Sequence, residues 1–430
     1  MTTERKQKIK PLPLFDTIKV FLDSTEKEYL EDRPGMVAYI RQFEPDILAM
    51  NDFEQVRAFL KSYSGFSTTF NNYRVQVERL MLWAWIKREK SLLALNRTDA
   101  EAFMNFTASP DPSWVGQDEV VQRFVQKNGL YVQASNWRPF KIRISKAMRM
   151  KSMEDATPLP NKVFEMSQGS IKQVFAACST FYDWLNKQNV SVTNPFKAIK
   201  QKSAWTQRSL KVRTGRALTN LQWDYIIETA ELMADEDPKH ERSLFIVATL
   251  YGLYLRVSDI VGNPKWKPTM GSFEKKGENW WYNTVGKGNV SAQITVKPDY
   301  LKYLVRYRRT RSLPDFPAPG ETTSLLASVT GRAGLKGSQI RNMIQEVFDA
   351  ALARMLEDGR TEEEIAAVRS ASAHWLRHTG ATFDAKYRDP KHLQLDLRHK
   401  DLATTQNIYY NSIDEERAKS VSGLKMRPDG

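Results

Sequence analysis

The chain has 430 residues, 41% hydrophobic and 27% charged, ordinary values for a protein with a real core and room for two generous domains or about three modules of ~150 residues. Lysine and arginine number 64 against 50 acidic residues, a net charge of +14, which points to an anionic partner, nucleic acid above all. The excess is +7 in residues 1–200 (29 basic, 22 acidic) and +7 in residues 201–430 (35 basic, 28 acidic), so a basic tail on a neutral enzyme is excluded.

Residues 1–50 are mixed in character, with Pro11 and Pro13 near the start and an acidic stretch over 26–32. Ser67, Thr68 and Thr69 are good helix N-caps, and Tyr73, Val77, Leu80 and Ala84 recur at helical steps behind them. A second helix starts near Ser170, with Ile171, Val174, Phe175, Cys178, Phe181, Tyr182 and Leu185 on one side. It has to end before Asn194-Pro195, because the residue before proline avoids helical geometry. Cys178, the single cysteine, sits in that apolar stripe and reads as a packing residue. A lone cysteine also excludes a disulfide framework and a cysteine-rich zinc site. No long alternating pattern appears before residue 200, so the first half is expected to be mainly helical.

Two basic runs stand out. Residues 138–151 hold Arg138, Lys141, Arg143, Lys146, Arg149 and Lys151 interleaved with apolar side chains. Residues 197–216 hold Lys197, Lys200, Lys202, Arg208, Lys211, Arg213 and Arg216 and no acidic residue. Both are candidate phosphate contacts, and the second also suits a solvated linker. The second half then changes character. Helices are expected from Leu218 and over 243–255. Strands follow at 280–285 and 291–296 around Gly286-Lys287-Gly288-Asn289, a hairpin signal. Residues 314–320 form a proline-rich loop, helix resumes over 338–356, and Thr361 opens another with an acidic first turn.

Four of the five histidines, His374, His378, His392 and His399, fall within 26 residues. His374 and His378 stand four apart on one helix face, as zinc ligands do, but the segment lacks the glutamate of an HExxH site and has no thiolate nearby. The company they keep suits a phosphodiester better. Arginine grips non-bridging oxygens bidentately, imidazole donates a hydrogen bond, and a tyrosine hydroxyl can attack phosphorus.

Taken in chain order, Leu255-Arg256-Val257-Ser258-Asp259, Val285-Gly286-Lys287-Gly288-Asn289, His374-Trp375-Leu376-Arg377-His378-Thr379, and Leu397-Arg398-His399 through Thr404-Thr405 to Tyr409 resemble the four motifs of the tyrosine recombinase (phage-integrase-type) family. The resemblance implies a mainly α protein with a small β-sheet: an N-terminal extension over 1–50, a helical core-binding domain over 51–199, a basic linker over 200–216, and an α+β catalytic domain over 217–430. It implies that Arg256 and Arg377 clamp the scissile phosphate, that Lys287 protonates the leaving 5′-oxygen, that His374 and His399 orient phosphate, and that Tyr409 is the nucleophile. Lys275 and Lys276 compete with Lys287, and counting alone leaves Tyr410 beside Tyr409. In one departure from the family pattern, Arg398 occupies the place that usually holds glycine.

The function so implied is site-specific DNA cleavage and rejoining through a 3′-phosphotyrosine, without metal or ATP, for a phage or mobile element. Cofactors are expected to be none. The partners expected are double-stranded DNA, further copies of the chain (a dimer on a site, a tetramer in the synapse) and accessory DNA-binding proteins. A type IB topoisomerase-like relaxation activity or an inactive DNA-binding protein are the other readings. A short amphipathic helix in the tail, 412–430, is expected to dock into a neighbouring subunit, and residues 1–50 and 107–118 to add DNA or subunit contacts. No apolar run suits a membrane span and the start lacks a secretory core, so a cytoplasmic, nucleoid-associated bacterial protein is expected.

Overall fold

A computed structural model of the chain describes residues 9–45, 47–117, 121–159, 163–190, 192–199, 217–263, 265–286, 290–328, 330–410 and 421–422. They group into two units. The first comprises Met1–Ile144 and Thr157–Lys211, the second Ser145–Ala156 and Val212–Gly430. The structure is mainly helical with small sheets, as the sequence implies. Among the described residues no helix is long and apolar enough to cross a membrane.

The first unit begins with three short helices, α1 (Ile18–Asp23), α2 (Glu26–Glu31) and α3 (Pro34–Arg41), followed by α4 (Ala49–Lys61) and α5 (Ser67–Trp83). The segment set apart in the sequence as an extension is part of this unit's core. Leu14, Phe15, Phe21, Tyr29, Met36 and Ile40 pack in the same apolar cluster as Phe53, Phe59 and Leu80. Its backbone is tied down as well, since buried Glu78 on α5 accepts from the amides of Leu14 (2.7 Å) and Phe15 (3.2 Å). Helix α5 differs from expectation at its start: Ser67 is already helical, and Phe66 takes the N-cap position without a side-chain cap. Burying Phe70, Val77, Leu80 and Met81 sets the helical phase and outweighs a cap worth ~1 kcal/mol.

Next come α6 (Arg97–Ala108), β1 (Val115–Gly116), β2 (Phe124–Lys127), β3 (Leu130–Gln133) and β4 (Phe140–Lys141). The β2–β3 hairpin is absent from the expectations above, yet its turn residues Asn128 (φ 50) and Gly129 (φ 80) are the Asn-Gly pair that two-residue hairpins favour. Helix α7 (Lys146–Glu154) belongs to the second unit, while α8 (Gln168–Lys187) and α9 (Pro195–Ile199) return to the first. Cys178 is fully buried on α8, and burial pushes its thiol pKa up, so it packs and does not react.

One buried carboxyl in this unit makes stability depend on pH. Asp52 accepts from the Trp85 indole (2.8 Å), the Ser91 hydroxyl (2.7 Å) and the Leu92 amide (2.8 Å), yet burial still pushes its pKa up to about 6. A folded-state pKa above the unfolded ~3.9 means the native state holds the proton longer, so this group loses stability as pH rises from about 4 to about 6, by roughly 2–3 kcal/mol. Asparagine can accept from Trp85 and Leu92 and donate to Ser91. Asp52→Asn should therefore raise the melting temperature at pH 8 relative to wild type and show no such gain at pH 4. An equal change at both pH values would contradict this.

The second unit runs through α10 (Asn220–Glu236), α11 (Glu241–Gly252), α12 (Val257–Val261), β5 (Phe273–Lys276), β6 (Asn279–Val285), β7 (Ser291–Thr295), α13 (Leu301–Thr310), α14 (Gly337–Glu357), α15 (Glu362–Ser370), α16 (Ala373–Ala385), α17 (Pro390–Leu397) and α18 (Leu402–Thr405), ending in a π-helical turn over Gln406–Tyr410. Helix α11 is the core element, with Leu244, Phe245, Ile246, Val247 and Leu250 all buried. It stops at Gly252, short of the expected 255, because Tyr254 takes a left-handed conformation (φ 51). The expected hairpin gains a third strand: β5 and β7 flank β6 in antiparallel pairing, with Tyr282 opposite both Phe273 and Ile294. Gly380 lets α16 approach α11, since a Cβ there would lie 2.3 Å from the Tyr251 carbonyl oxygen. The basic run 138–151 is divided, because α7 packs on α15 through Glu154 and Arg369 (Nε to Oε1, 3.1 Å).

Candidate active site

Three of the four sequence motifs converge at one place in the second unit. Arg377 points inward from α16 and is 1% exposed. Its guanidinium donates to the carbonyl oxygens of Tyr254 and of Leu397 (2.6 Å) and lies 3.4 Å from the Nε2 of His399. The left-handed turn at Tyr254 and the end of α17 thus present the two carbonyls that hold it. Burial first and Arg256 second push its pKa down to about 9, so it still carries its charge near neutrality. Arg256 is half-buried at the start of α12. Its own pKa is lowered by burial and then by Arg398, with Asp259 and Tyr409 acting the other way. The pairing with Asp259 that the sequence left open for Arg256 is made by its backbone amide alone (2.7 Å), while the carboxylate takes the Arg398 guanidinium.

His399 follows α17. Since Arg377 can only donate, Nε2 of His399 acts as acceptor, and Nδ1 carries the proton toward Thr405 Oγ1 at 2.9 Å. Its pKa is pushed down to about 4 by burial, then by Arg377, Arg256 and Arg398, which leaves a neutral ring. The turn is anchored from behind. Asp396 on α17 accepts from the Thr295 amide (3.1 Å) and from Arg388 (2.6 Å), and Gln394 donates to the His399 carbonyl oxygen (3.0 Å).

Tyr409 lies on the π-helical turn with its ring buried among Tyr254, Ala381, Leu393 and Leu397. Its hydroxyl is 3.1 Å from Nδ1 of His378. Burial raises its pKa, against which Arg377 and Arg256 pull down, so it is a neutral phenol at rest. His378 is the residue the motif reading passes over. The motif draws attention to His374, which is exposed and meets His378 edge-on at 4.5 Å between ring centres. The signal that finds His378 is its spacing one residue past Arg377, which rotates it about 100° to another face of the helix.

The electrostatic balance is unusual. Arg256, Arg377 and Arg398 surround a single carboxylate, Asp259, and no ion pair to Arg256 or Arg377 occurs among the described residues. Among the described residues the pocket therefore holds about two positive charges without an ion-pair partner in a partly desolvated setting, an arrangement that favours an anion.

Lys287 lies outside the described residues, as do Lys200, Lys202, Arg208, Lys211 and Arg213 and nearly all of the tail. Lys275 and Lys276 are exposed on β5, where Lys276 pairs with Glu274 at 3.5 Å. Several expected phosphate contacts have partners within the protein. Arg138 donates to the Ser135 and Trp137 carbonyls (2.9 and 2.7 Å), Lys146 to the Ala371 carbonyl (3.2 Å), and Lys197 pairs with Asp183 (2.7 Å). Arg149 is exposed on α7, and Lys141 and Arg143 line a polar cavity of about 490 Å³ in the first unit together with Asn71, Gln76 and Arg79.

No family model matches the chain, but individual proteins resemble it. Tyrosine recombinase XerC of Escherichia coli O157:H7 is 24% identical over 306 residues, covering 71% of this chain and 86% of that protein. The XerH site-specific recombinase bound to its difH substrate shares the fold. The pre-cleavage complex has a TM-score of 0.50 at 13% identity and the post-cleavage complex 0.54 at 12%, each covering 97% of this chain and 100% of the other. With the motifs in order and the described ones gathered at one site, the chain is similar to tyrosine recombinases in sequence, and it shares the fold of XerH.

Proposed function

We propose that the protein cleaves and rejoins DNA at specific sites through a 3′-phosphotyrosine intermediate, without metal or nucleotide cofactor, in the service of a phage or mobile element. The observation that carries this reading is the meeting of a buried tyrosine hydroxyl with two guanidiniums, Arg256 and Arg377, that make no ion pair among the described residues. Tyr409 Oη attacks the scissile phosphorus, the bond from phosphorus to the 5′-oxygen breaks, and the phenolic proton passes to Nδ1 of His378. Lys287, on the motif's expectation, protonates the departing 5′-oxygen. Attack by a 5′-hydroxyl on the phosphotyrosine reverses the step with no input of energy, which is how strands are exchanged.

A phosphodiester carries one negative charge, and the pentacoordinate state formed by a phenolate carries two. The two uncompensated guanidiniums therefore match the transition state better than the ground state, which is what catalysis needs. They supply the neutralisation that a divalent cation provides in other phosphoryl-transfer enzymes.

A duplex on one face and further copies of the chain complete the reading, as a dimer on a site and a tetramer in the synapse. The test is to incubate the protein with labelled duplexes taken from DNA flanking its gene. A covalent adduct with exchange between two sites supports recombination. Relaxation of supercoils without exchange would replace it with a topoisomerase, and binding without an adduct would overturn it.

His378 gives a prediction of its own. His378→Ala should slow single-turnover cleavage by about 10²-fold, the usual weight of one proton acceptor, and leave DNA affinity within about 3-fold of wild type. A cleavage rate equal to wild type would remove His378 from the proton path.

A further inference from the structure

Arg398 stands where the family motif usually carries glycine. Its backbone is left-handed (φ 54, ψ 42), the conformation glycine adopts freely and other residues avoid. A long charged side chain at such a position is held there by its surroundings.

Those surroundings are specific. The guanidinium grips Asp259 with both arms, Nη1 to Oδ1 at 3.0 Å and Nη2 to Oδ2, and the side chain is 11% exposed. Asp259 is 2% exposed. One of its oxygens also accepts the backbone amide of Arg256 at 2.7 Å. The same guanidinium lies against Gly286 at the foot of the β6–β7 hairpin, where a Cβ would come within 3.3 Å of Nη1.

Asp259 is three residues past Arg256, which N-caps α12 with an extended backbone, and its carboxylate reaches back to the Arg256 amide. A buried carboxylate is stable only with a cationic partner, and apart from Arg398 the guanidiniums that feel Asp259 are those of Arg256 and Arg377, of which Arg256 is tied to it through its own backbone amide. We propose that Arg398 is a positioning residue that claims Asp259 and thereby leaves the Arg256 guanidinium free for the scissile phosphate. Its fork geometry suits the task, because bidentate pairing occupies both carboxylate oxygens. The inference rests on the recombinase reading of the site, and it says how this chain keeps one of the two phosphate arginines available although an acid stands one turn away.

The experiment is a double-mutant cycle between Arg398 and Asp259, read on a nicked duplex carrying a site that the wild-type protein selects from random DNA. Arg398→Gly should lower the single-turnover cleavage rate by at least about 10-fold with DNA affinity within about 3-fold. Adding Asp259→Asn should restore most of the rate, because no carboxylate remains to capture Arg256. A merely structural pair predicts the reverse, the double variant being as slow as the single or slower, and that result would overturn the proposal. So would a wild-type rate in Arg398→Gly. If Arg398→Gly does not fold, Arg398→Met with Asp259→Asn removes both charges together and should cleave within about 3-fold of wild type, a larger loss counting against the proposal. The side-chain Nε–H resonance of Arg256 reads the same point without DNA: it should shift toward an ion-paired position in Arg398→Gly and return in the double variant. A wild-type protein that forms no adduct would defeat the recombinase reading, whereas an unmoved Arg256 resonance defeats only this inference.

Discussion

Tyr409→Phe should abolish the covalent protein–DNA adduct, lowering cleavage by on the order of 10³-fold or more, while Tyr410→Phe should leave it intact. The two neighbours cannot both face one phosphate, since successive helical side chains diverge by about 100°. Tyr409 is the one whose hydroxyl meets His378 at 3.1 Å and whose proton affinity feels Arg377 and Arg256. The substitution keeps the ring that packs with Tyr254 and Leu397, so folding and DNA binding should persist and the loss should be chemical. Trapping adducts on a nicked duplex measures it directly. An adduct that survives Tyr409→Phe and disappears with Tyr410→Phe would reverse the assignment.

Arg377→Met should lower cleavage by about 10²–10³-fold and yet change the melting temperature little. Two opposing effects decide the second part. Losing the guanidinium leaves the carbonyls of Tyr254 and Leu397 without their donor, at about 1–3 kcal/mol each. Against this, a pKa pushed from 12.5 to about 9 shows that the buried charge is itself unfavourable in the DNA-free protein, by roughly 4–5 kcal/mol on the usual conversion. The two are of similar size, so the melting temperature should stay within several degrees of wild type. A large drop would mean that Arg377 is chiefly structural, and wild-type cleavage would remove it from the phosphate site. The unfavourable charge is what an incoming phosphate relieves, so DNA should stabilise wild type more than the variant.

Much of the fold and of the site is legible in the residues themselves. The order of Arg256, His374–Arg377, His399 and Tyr409 carries the resemblance to tyrosine recombinases, and the apolar rhythm of Val77 and Leu80 or of Val174 and Cys178 carries the helices. Local signals err where packing competes with them. The Ser67–Thr69 caps give way to the helical phase that buries Phe70, and α11 ends early because Tyr254 turns its carbonyl toward Arg377. The hairpin at Asn128-Gly129 is legible but short. Its strands span four residues each, too few for alternation to stand out.

The sequence alone determined which chemical groups are available and in what order, because residue type and local spacing are properties of the chain. It could not determine which histidine meets the tyrosine, what holds the buried arginine, or which carboxylate the arginine in a glycine's place would grip. His378 and Tyr409 are 31 residues apart, and Arg398 and Asp259 are 139 apart. Such pairings depend on helix faces and loop directions fixed only when the whole core packs, and electrostatic partnership follows distance in space. The basic residues show the same limit: net charge foretold a polyanion, but folding decided that Arg138, Lys146 and Lys197 would meet partners in the protein while Arg256 and Arg377 make no ion pair among the described residues.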